Sequence, residues 1–136
     1  MFKTVLFPID QTRESRHAAE LVVSLVKTYG SSLILLSVVE SPEDREGDTE
    51  PEMTSPRAIT KLLDTAKTLF KDEGIDTDII EKRGMPAFII CDVADELDID
   101  LIVMGSRGIG LSEDGLSDSV SNRVINLSPC PVLIVP

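Results

Sequence analysis

A glycine-rich segment, Gly105-Ser106-Arg107-Gly108, is the first place in this sequence where residue type and spacing suggest chemistry. Nine residues separate it from Asp118-Ser119-Val120, where a helix is expected to begin. Glycines let backbone N–H groups approach an anion closely, and the first turn of a helix directs its N–H groups and the positive end of its dipole at the same anion. The pattern indicates a phosphate-binding loop. A tight strand-to-helix turn without a ligand also needs glycine, so both interpretations are open.

The side chains of this loop allow several roles. Arg107 could contact a phosphate or form a surface ion pair with Glu113 or Asp114. The three carboxylates of Glu113, Asp114 and Asp118 could hold Mg²⁺ against phosphates or could simply be solvated. Serines at positions 106, 112, 117, 119 and 121 could accept a phosphoryl group, or they could serve as ordinary caps and loop residues.

Few other residues could support catalysis. His17 is the only histidine, and no nucleophile can be assigned beside it, so we interpret it as a surface residue. Cys91 and Cys130 belong to no CxxC or CxxH pattern and are interpreted as buried free thiols. The sequence predicts no catalytic residue and no metal centre held by protein ligands alone, which favours a binding module over an enzyme.

Length and composition limit the protein class. With 136 residues, 42% of them hydrophobic, the chain is expected to fold as one globular domain. The 24 acidic residues outnumber the 13 Lys and Arg, and the resulting net charge of −11 argues against nucleic-acid binding. No apolar run reaches the roughly 18 residues of a membrane span, and the first residues lack a secretory-signal pattern. We therefore expect a cytoplasmic protein without a membrane segment.

Strand and helix patterns alternate along the chain. Apolar runs at Thr4–Asp10, Ser32–Val39, Asp100–Met104 and Val132–Val135 predict buried strands, of which Ser32–Val39 should be central, and Asp76–Lys82 predicts a polar edge strand. Helices are predicted at Ser15–Tyr29, from Pro56 to before Gly74, after Gly84-Met85-Pro86, and at Ser119–Leu127. Residues 40–55 are predicted to be an acidic, solvated loop. The fold class is α/β: a single domain with an open five-stranded parallel sheet, helices on both faces, and any ligand at the carboxyl ends of strands where the winding reverses.

With these motifs in place, the sequence resembles the universal stress protein family. Its nucleotide-binding branch carries Gly-x2-Gly-x9-Gly-[Ser/Thr], which the segment from Gly105 to Ser119 matches except at Asp118. Further similarities are Val5–Asp10, Gly84-x-Pro86, Asp100–Gly105 and the closing Pro131–Val135. The resemblance covers residues 1–136 and implies one universal stress protein domain with a Rossmann-like, adenine nucleotide alpha hydrolase-like fold.

The resemblance also implies an adenine-nucleotide ligand, ATP or AMP, bound with or without Mg²⁺. Asp10 would contact the nucleoside, the Val38 backbone the adenine and Gly105 the ribose, while Gly108, Ser119 and Val120 would face the phosphates. The full implied site is Pro8, Asp10, Val38, Met104, Gly105, Arg107, Gly108, Asp118, Ser119 and Val120. Without a Walker lysine or a water-activating residue, any ATP hydrolysis or autophosphorylation should be slow.

Asp118 raises an alternative function. A carboxylate about 5 Å from a phosphate costs roughly 3 kcal/mol at an effective dielectric constant of 20, which is about a hundredfold in affinity. The alternative is a universal stress-type homodimer that retains no nucleotide and acts as an interaction protein. Family members resemble one another in pairing their last strands, and the segment Val132–Val135 would supply the dimer contact here.

Overall fold

The computed structural model describes residues 2–9, 13–39, 56–105 and 120–136. Within these ranges the predicted alternation of five strands and four helices is confirmed. The elements are β1 Thr4–Pro8, α1 Arg13–Tyr29, β2 Ser32–Val39, α2 Pro56–Asp72, β3 Thr77–Arg83, α3 Pro86–Glu96, β4 Leu101–Gly105, α4 Val120–Leu127 and β5 Val132–Val135. The predicted acidic loop at 40–55 lies outside the described residues.

The five strands form one parallel sheet in the order β3-β2-β1-β4-β5. The predicted polar edge strand is β3, and it exposes most of its side chains. One detail of the prediction was wrong: β2 is an interior strand, but β1 is the central one. The apolar run of β2 indicates burial on both faces of the sheet. Every interior strand of a parallel sheet is buried in this way, so the pattern does not identify the middle strand.

Two apolar layers cover the faces of the sheet. Alternate residues of each strand point to opposite faces, so Leu33 and Leu35 belong to one layer while Ile34 and Leu36 belong to the other. The first layer lies under α1 and α2, and within it the rings of Phe7 and Phe70 meet edge to face with centroids 6.2 Å apart. The second layer lies under α3 and α4. Continuous apolar strands are needed because both faces are buried.

The end of α2 shows how local sequence sets an element boundary. Gly74 adopts a φ of 81°, and the N–H of Ile75 donates to the carbonyl of Phe70 at 2.9 Å. The Gly74 N–H donates to the Lys71 carbonyl, also at 2.9 Å. These two hydrogen bonds form a Schellman motif. The side chains of Phe70 and Ile75 both belong to the first core layer. The glycine predicted to stop the helix therefore also directs the chain into β3.

Candidate functional site

The winding of the sheet reverses at the carboxyl end of β1. From β1 the chain passes to its neighbour β2, and β4 occupies the other side of β1 before the chain continues outward to β5. In an open parallel sheet, such a reversal leaves a crevice beyond the carboxyl ends of the two central strands. Pro8 ends β1 and Gly105 ends β4, so both predicted site residues lie at this crevice.

Pro8 helps to open the crevice on the β4 side. Proline has no N–H group and cannot donate a ladder hydrogen bond. The paired register between β1 and β4 ends at Leu6 opposite Ile102, while β4 continues to Gly105. The Ile102 N–H donates to the Pro131 carbonyl on the β5 side, at 3.0 Å, so strand alternation directs the backbone groups of Gly105 toward the β1 side. Gly105 is only partly buried.

Val38 borders the crevice on the opposite side. The Ile9 N–H donates to the Leu36 carbonyl at 2.8 Å, which shows that Leu36 directs its backbone groups toward β1. The Gly84 N–H donates to the Val39 carbonyl at 2.9 Å, on the β3 side. Alternation therefore directs the N–H and C=O of Val38 toward β1, beyond Pro8, the last β1 residue paired with β2. This edge of Val38 offers one donor and one acceptor side by side.

The crevice is flanked by β2 and β4. Neighbouring strands lie about 4.8 Å apart, so the backbones of β2 and β4 are separated by roughly 10 Å across the end of β1. The structure thus places Val38, Pro8 and Gly105 near the carboxyl ends of the adjacent strands β2, β1 and β4.

Two further predicted residues have buried side chains. Met104 is 4% exposed and Val120 is 7% exposed, and both side chains belong to the second core layer. At a ligand site they would therefore contribute backbone groups. Val120 is the first residue of α4, where helix N–H groups lack intrahelical acceptors and where an anion is stabilised. The remaining predicted site residues lie outside the described residues: Asp10, Arg107, Gly108, Asp118 and Ser119.

The helices α3 and α4 add favourable electrostatics for an anion. α3 begins with Pro86 after Met85, whose side chain makes no capping hydrogen bond, and the first turn of α3 holds no acidic residue. The first turn of α4 is also free of acidic residues within its described range. Each helix follows the carboxyl end of a strand through its connecting segment, so their positive dipole ends lie on the same side of the sheet.

A cleft on the opposite side of the sheet was not predicted. It measures about 500 Å³ and lies where β2 and β3 begin and α1 and α2 end, lined in part by Val26, Gly74 and Asp76. Lys27 and Glu73 form an ion pair beside it at 2.9 Å, and both side chains are half exposed. Thr77 is 6% exposed, and its buried hydroxyl has no hydrogen-bond partner. Only the two glycine turns, at positions 30 and 74, could have indicated this cleft from sequence.

Groups for acid–base or metal chemistry are scarce in the described ranges. There, no three His, Cys, Asp or Glu side chains are grouped so as to hold a metal ion. His17 is exposed, as predicted. Of the two free thiols, Cys91 is buried but Cys130 is only partly so, which corrects the expectation that both are buried. Burial raises the pKa of Cys91, and the neighbouring Asp92 and Cys130 add to the rise.

None of the described helices combines the length and apolar composition required to cross a membrane.

The comparison with known families rests on the entire chain. Residues 1–136 match the model described as the universal stress protein family. The chain belongs to this family. Universal stress protein Sll1654 of Synechocystis sp. is 56% identical over all of this chain and 87% of its own length. The sequence-based family assignment is confirmed.

Solved structures confirm the universal stress protein fold. Hypothetical protein MJ0577 superposes with a TM-score of 0.80 at 26% identity, covering 99% of this chain and 96% of that one. A universal stress protein in complex with cAMP gives a TM-score of 0.77 at 24% identity, covering 98% and 97%. The universal stress protein from Archaeoglobus fulgidus in complex with dAMP gives 0.70 at 18% identity, covering 100% and 98%.

Proposed function

We propose that this universal stress protein, as one domain over residues 1–136, binds an adenine nucleotide, ATP or AMP, at the carboxyl edge of its sheet. The observation that carries the proposal is the edge of Val38, which directs a backbone donor and acceptor past the end of β1 into the crevice of the winding reversal. Two universal stress proteins of the same fold are in complex with cAMP and dAMP, which share the adenine base. Their adenine ligands support the base chosen here.

Adenine suits the edge of Val38 in one orientation. Its N6 amino group donates and its N1 accepts, so the Val38 carbonyl accepts from N6 and the Val38 N–H donates to N1. Backbone recognition of this kind is independent of side-chain identity, which explains why an aliphatic residue can select a base. The ribose then lies toward Gly105, where the absence of a side chain permits close approach.

The phosphates extend toward the first turn of α4. The Val120 N–H and the loop glycine Gly108 provide donors, and Arg107 provides a cation. Asp118 opposes them with its own negative charge, so we propose that it sets the preference among ligands: AMP brings one phosphate near this carboxylate, whereas ATP brings three. Mg²⁺ held by Asp118 would reverse the sign of its effect on a triphosphate.

The protein acts as a nucleotide-responsive regulator in the stress response, and any ATP hydrolysis or autophosphorylation is slow. The described residues hold no group of three His, Cys, Asp or Glu side chains that could bind a metal ion, and the sequence has no Walker lysine. The free thiols Cys91 and Cys130 fit a cytoplasmic protein, because reducing compartments keep cysteines unpaired.

Base selectivity tests the assignment of Val38. IMP differs from AMP in presenting an acceptor at position 6 and a donor at N1, so both hydrogen bonds to Val38 are lost. An acceptor then faces the Val38 carbonyl, and a donor faces the Val38 N–H. We expect AMP to bind at least about thirtyfold more tightly than IMP, from about 1 kcal/mol for each bond lost. Calorimetric titration with both nucleotides measures this ratio. Equal affinities would show that Val38 does not recognise the base.

The second proposed function is that of a homodimeric interaction protein. The edge of β5 that faces away from β4 favours this function. β5 pairs with β4 on one side, while Val132, Leu133 and Ile134 are only partly buried. Since the Pro131 carbonyl accepts from β4, alternation directs the backbone groups of Val132 and Ile134 away from β4. An apolar edge with outward donors and acceptors favours pairing with a second copy of the chain.

Replacing Val132 with proline tests this edge. Proline is tolerated at the first residue of a strand, and here it removes an outward N–H without removing a donor to β4. We expect the dissociation constant of the dimer to rise about thirtyfold, since a two-fold contact loses the bond twice at about 1 kcal/mol each. Sedimentation equilibrium measures the change, and Leu133→Pro is the contrasting variant, because its N–H faces β4 and its loss should destabilise the monomer fold. A natural protein that is monomeric at micromolar concentration would contradict the dimer.

A further inference from the structure

Cys91 and Cys130 are free thiols that the proposed nucleotide site does not use, and they lie against the same core layer. We propose that they form a modification site for peroxides, in which oxidation closes an intramolecular disulfide between α3 and the turn that precedes β5. This inference is independent of nucleotide binding. It rests on the placement, exposure and anchoring of the two side chains.

Cys91 lies on the buried side of α3. It is 9% exposed and shares this side with Ile90 and Ala94, which are almost fully buried in the second core layer. α4 packs beside α3 over the same layer. The chain that leaves α4 therefore returns close to the helix that holds Cys91.

Cys130 lies in that returning chain and is anchored from two sides. The Ser128 hydroxyl donates to the Cys130 carbonyl at 2.7 Å and accepts from the Cys130 N–H at 3.2 Å. The next residue, Pro131, accepts the Ile102 N–H at 3.0 Å. Cys130 is partly exposed but packs against the second layer, so its sulfur is held near this layer while remaining open to a small oxidant.

The Cys91 thiol also responds electrostatically to Cys130. The pKa of Cys91 is raised mainly by burial, and the charge of Cys130 contributes to the rise together with Asp92. This effect agrees with the packing of both side chains at the second core layer. Because burial keeps Cys91 protonated and shielded, the more exposed Cys130 is the thiol that a peroxide meets first.

The reaction proceeds in two balanced steps, with hydrogen peroxide as oxidant. The Cys130 thiolate attacks one peroxide oxygen, the O–O bond breaks, and sulfenic acid and hydroxide form. Cys91 then gives up its proton, and its sulfur attacks Sγ of Cys130, so that the S–S bond forms and hydroxide leaves. Hydroxide and protons combine, and overall two thiols and one peroxide give one disulfide and two waters. The two electrons pass from sulfur to oxygen.

The disulfide would join segments that carry both proposed functions. The covalent loop from Cys91 to Cys130 contains β4, with Gly105 at its end, and α4, with Val120 at its start. Cys130, which closes this loop, lies two residues before β5. Oxidation would therefore restrain the phosphate side of the crevice and the proposed dimer edge together.

Peroxide treatment of the full-length protein, followed by peptide mapping without reduction, tests the proposal. We expect a Cys91–Cys130 cross-linked peptide, a mass lower by two hydrogen atoms, loss of both free thiols, and reversal by dithiothreitol. The reaction should be at least about tenfold slower in urea, since folding brings the two sulfurs together. The mapping uses the natural protein and so does not depend on whether any variant folds.

Two single-cysteine variants complete the test. Cys91→Ala should leave Cys130 to form a sulfenic acid that dimedone traps, and Cys130→Ser should leave Cys91 reduced. Three results would overturn the proposal: a Cys130–Cys130 bond between two copies, oxidation of Cys130 to sulfinic acid while Cys91 of the natural protein stays reduced, or equal rates in the native state and in urea.

Discussion

At the residue scale, the described part of the proposed site would offer backbone groups rather than side chains. Val38 and Gly105 border the crevice with N–H and C=O groups, and Met104 and Val120 bury their side chains in the core. The sequence could indicate Gly105 because the residue type alone shows that it has no side chain. The direction of the Val38 backbone depends on strand register, which becomes visible only once β1 and β2 are paired.

Thr77 offers a test of residue-scale energetics. Its hydroxyl is buried without a hydrogen-bond partner, so Thr77→Val removes a desolvated polar group and keeps the side-chain shape. We expect the free energy of unfolding to rise by about 1 kcal/mol. Urea denaturation measures it.

Thr77→Ser is the matched control. It keeps the hydroxyl and deletes the methyl group, so it should lower the free energy of unfolding by roughly 1 kcal/mol. A loss of stability in Thr77→Val would mean that the hydroxyl has a partner in solution.

At position 84, both the backbone conformation and the packing against a neighbouring side chain favour glycine. Its φ is 142°, and a Cβ built there would lie 2.9 Å from Cγ1 and Cδ1 of Ile89. We expect Gly84→Ala to lower the free energy of unfolding by about 2–3 kcal/mol, most of it from the backbone because Ile89 can shift its side chain. Thermal and urea denaturation both report this change.

Gly74→Ala is the comparison for Gly84. Gly74 has a φ of 81°, and a Cβ there meets nothing within 4 Å, so only left-handed strain applies, at a cost of about 1 kcal/mol. If both alanine variants lose the same stability, neither the backbone conformation of Gly84 nor its contact with Ile89 costs more than the left-handed strain at Gly74.

At the element scale, the sequence was most informative where an apolar run is continuous. The β2 range Ser32–Val39 and the β5 range Val132–Val135 match the prediction, since continuous apolar runs bounded by turn residues define both ends. The predicted ends of two other strands shifted by one or two positions. β1 ends at Pro8 rather than Asp10, and β4 extends to Gly105 rather than ending at Met104, because pairing with a neighbour and not residue type decides where a strand ends.

The order of the strands could not be derived from individual patterns. β2 has the longest apolar run, yet β1 is central, because a short strand can be buried as completely as a long one. The polar pattern of β3 correctly predicted an edge, since its outward side chains are exposed and charged. The two edges therefore differ: β3 discourages pairing with charges, whereas β5 offers apolar residues.

At the scale of the whole molecule, the two sides of the sheet differ in character. The carboxyl side carries the crevice and the first turns of α3 and α4. The amino side carries the cleft with Asp76 and the hydrogen bond from the Thr4 N–H to the Asp100 carboxylate, at 2.9 Å. A net charge of −11 would repel nucleotides at long range, so binding requires the local donors of the carboxyl side.

Asp118 is the residue that most affects the proposed nucleotide binding, because the nucleotide-binding branch of the universal stress protein family has glycine there. Calorimetry with ATP and AMP, with and without Mg²⁺, on the natural protein and on Asp118→Gly is the most direct test of nucleotide binding. We predict that the natural protein binds AMP, and that Asp118→Gly binds ATP without Mg²⁺ about a hundredfold more tightly than the natural protein does. Absence of AMP and ATP binding in both proteins would contradict nucleotide binding at this edge of the sheet and leave the β5 homodimer as the proposed function.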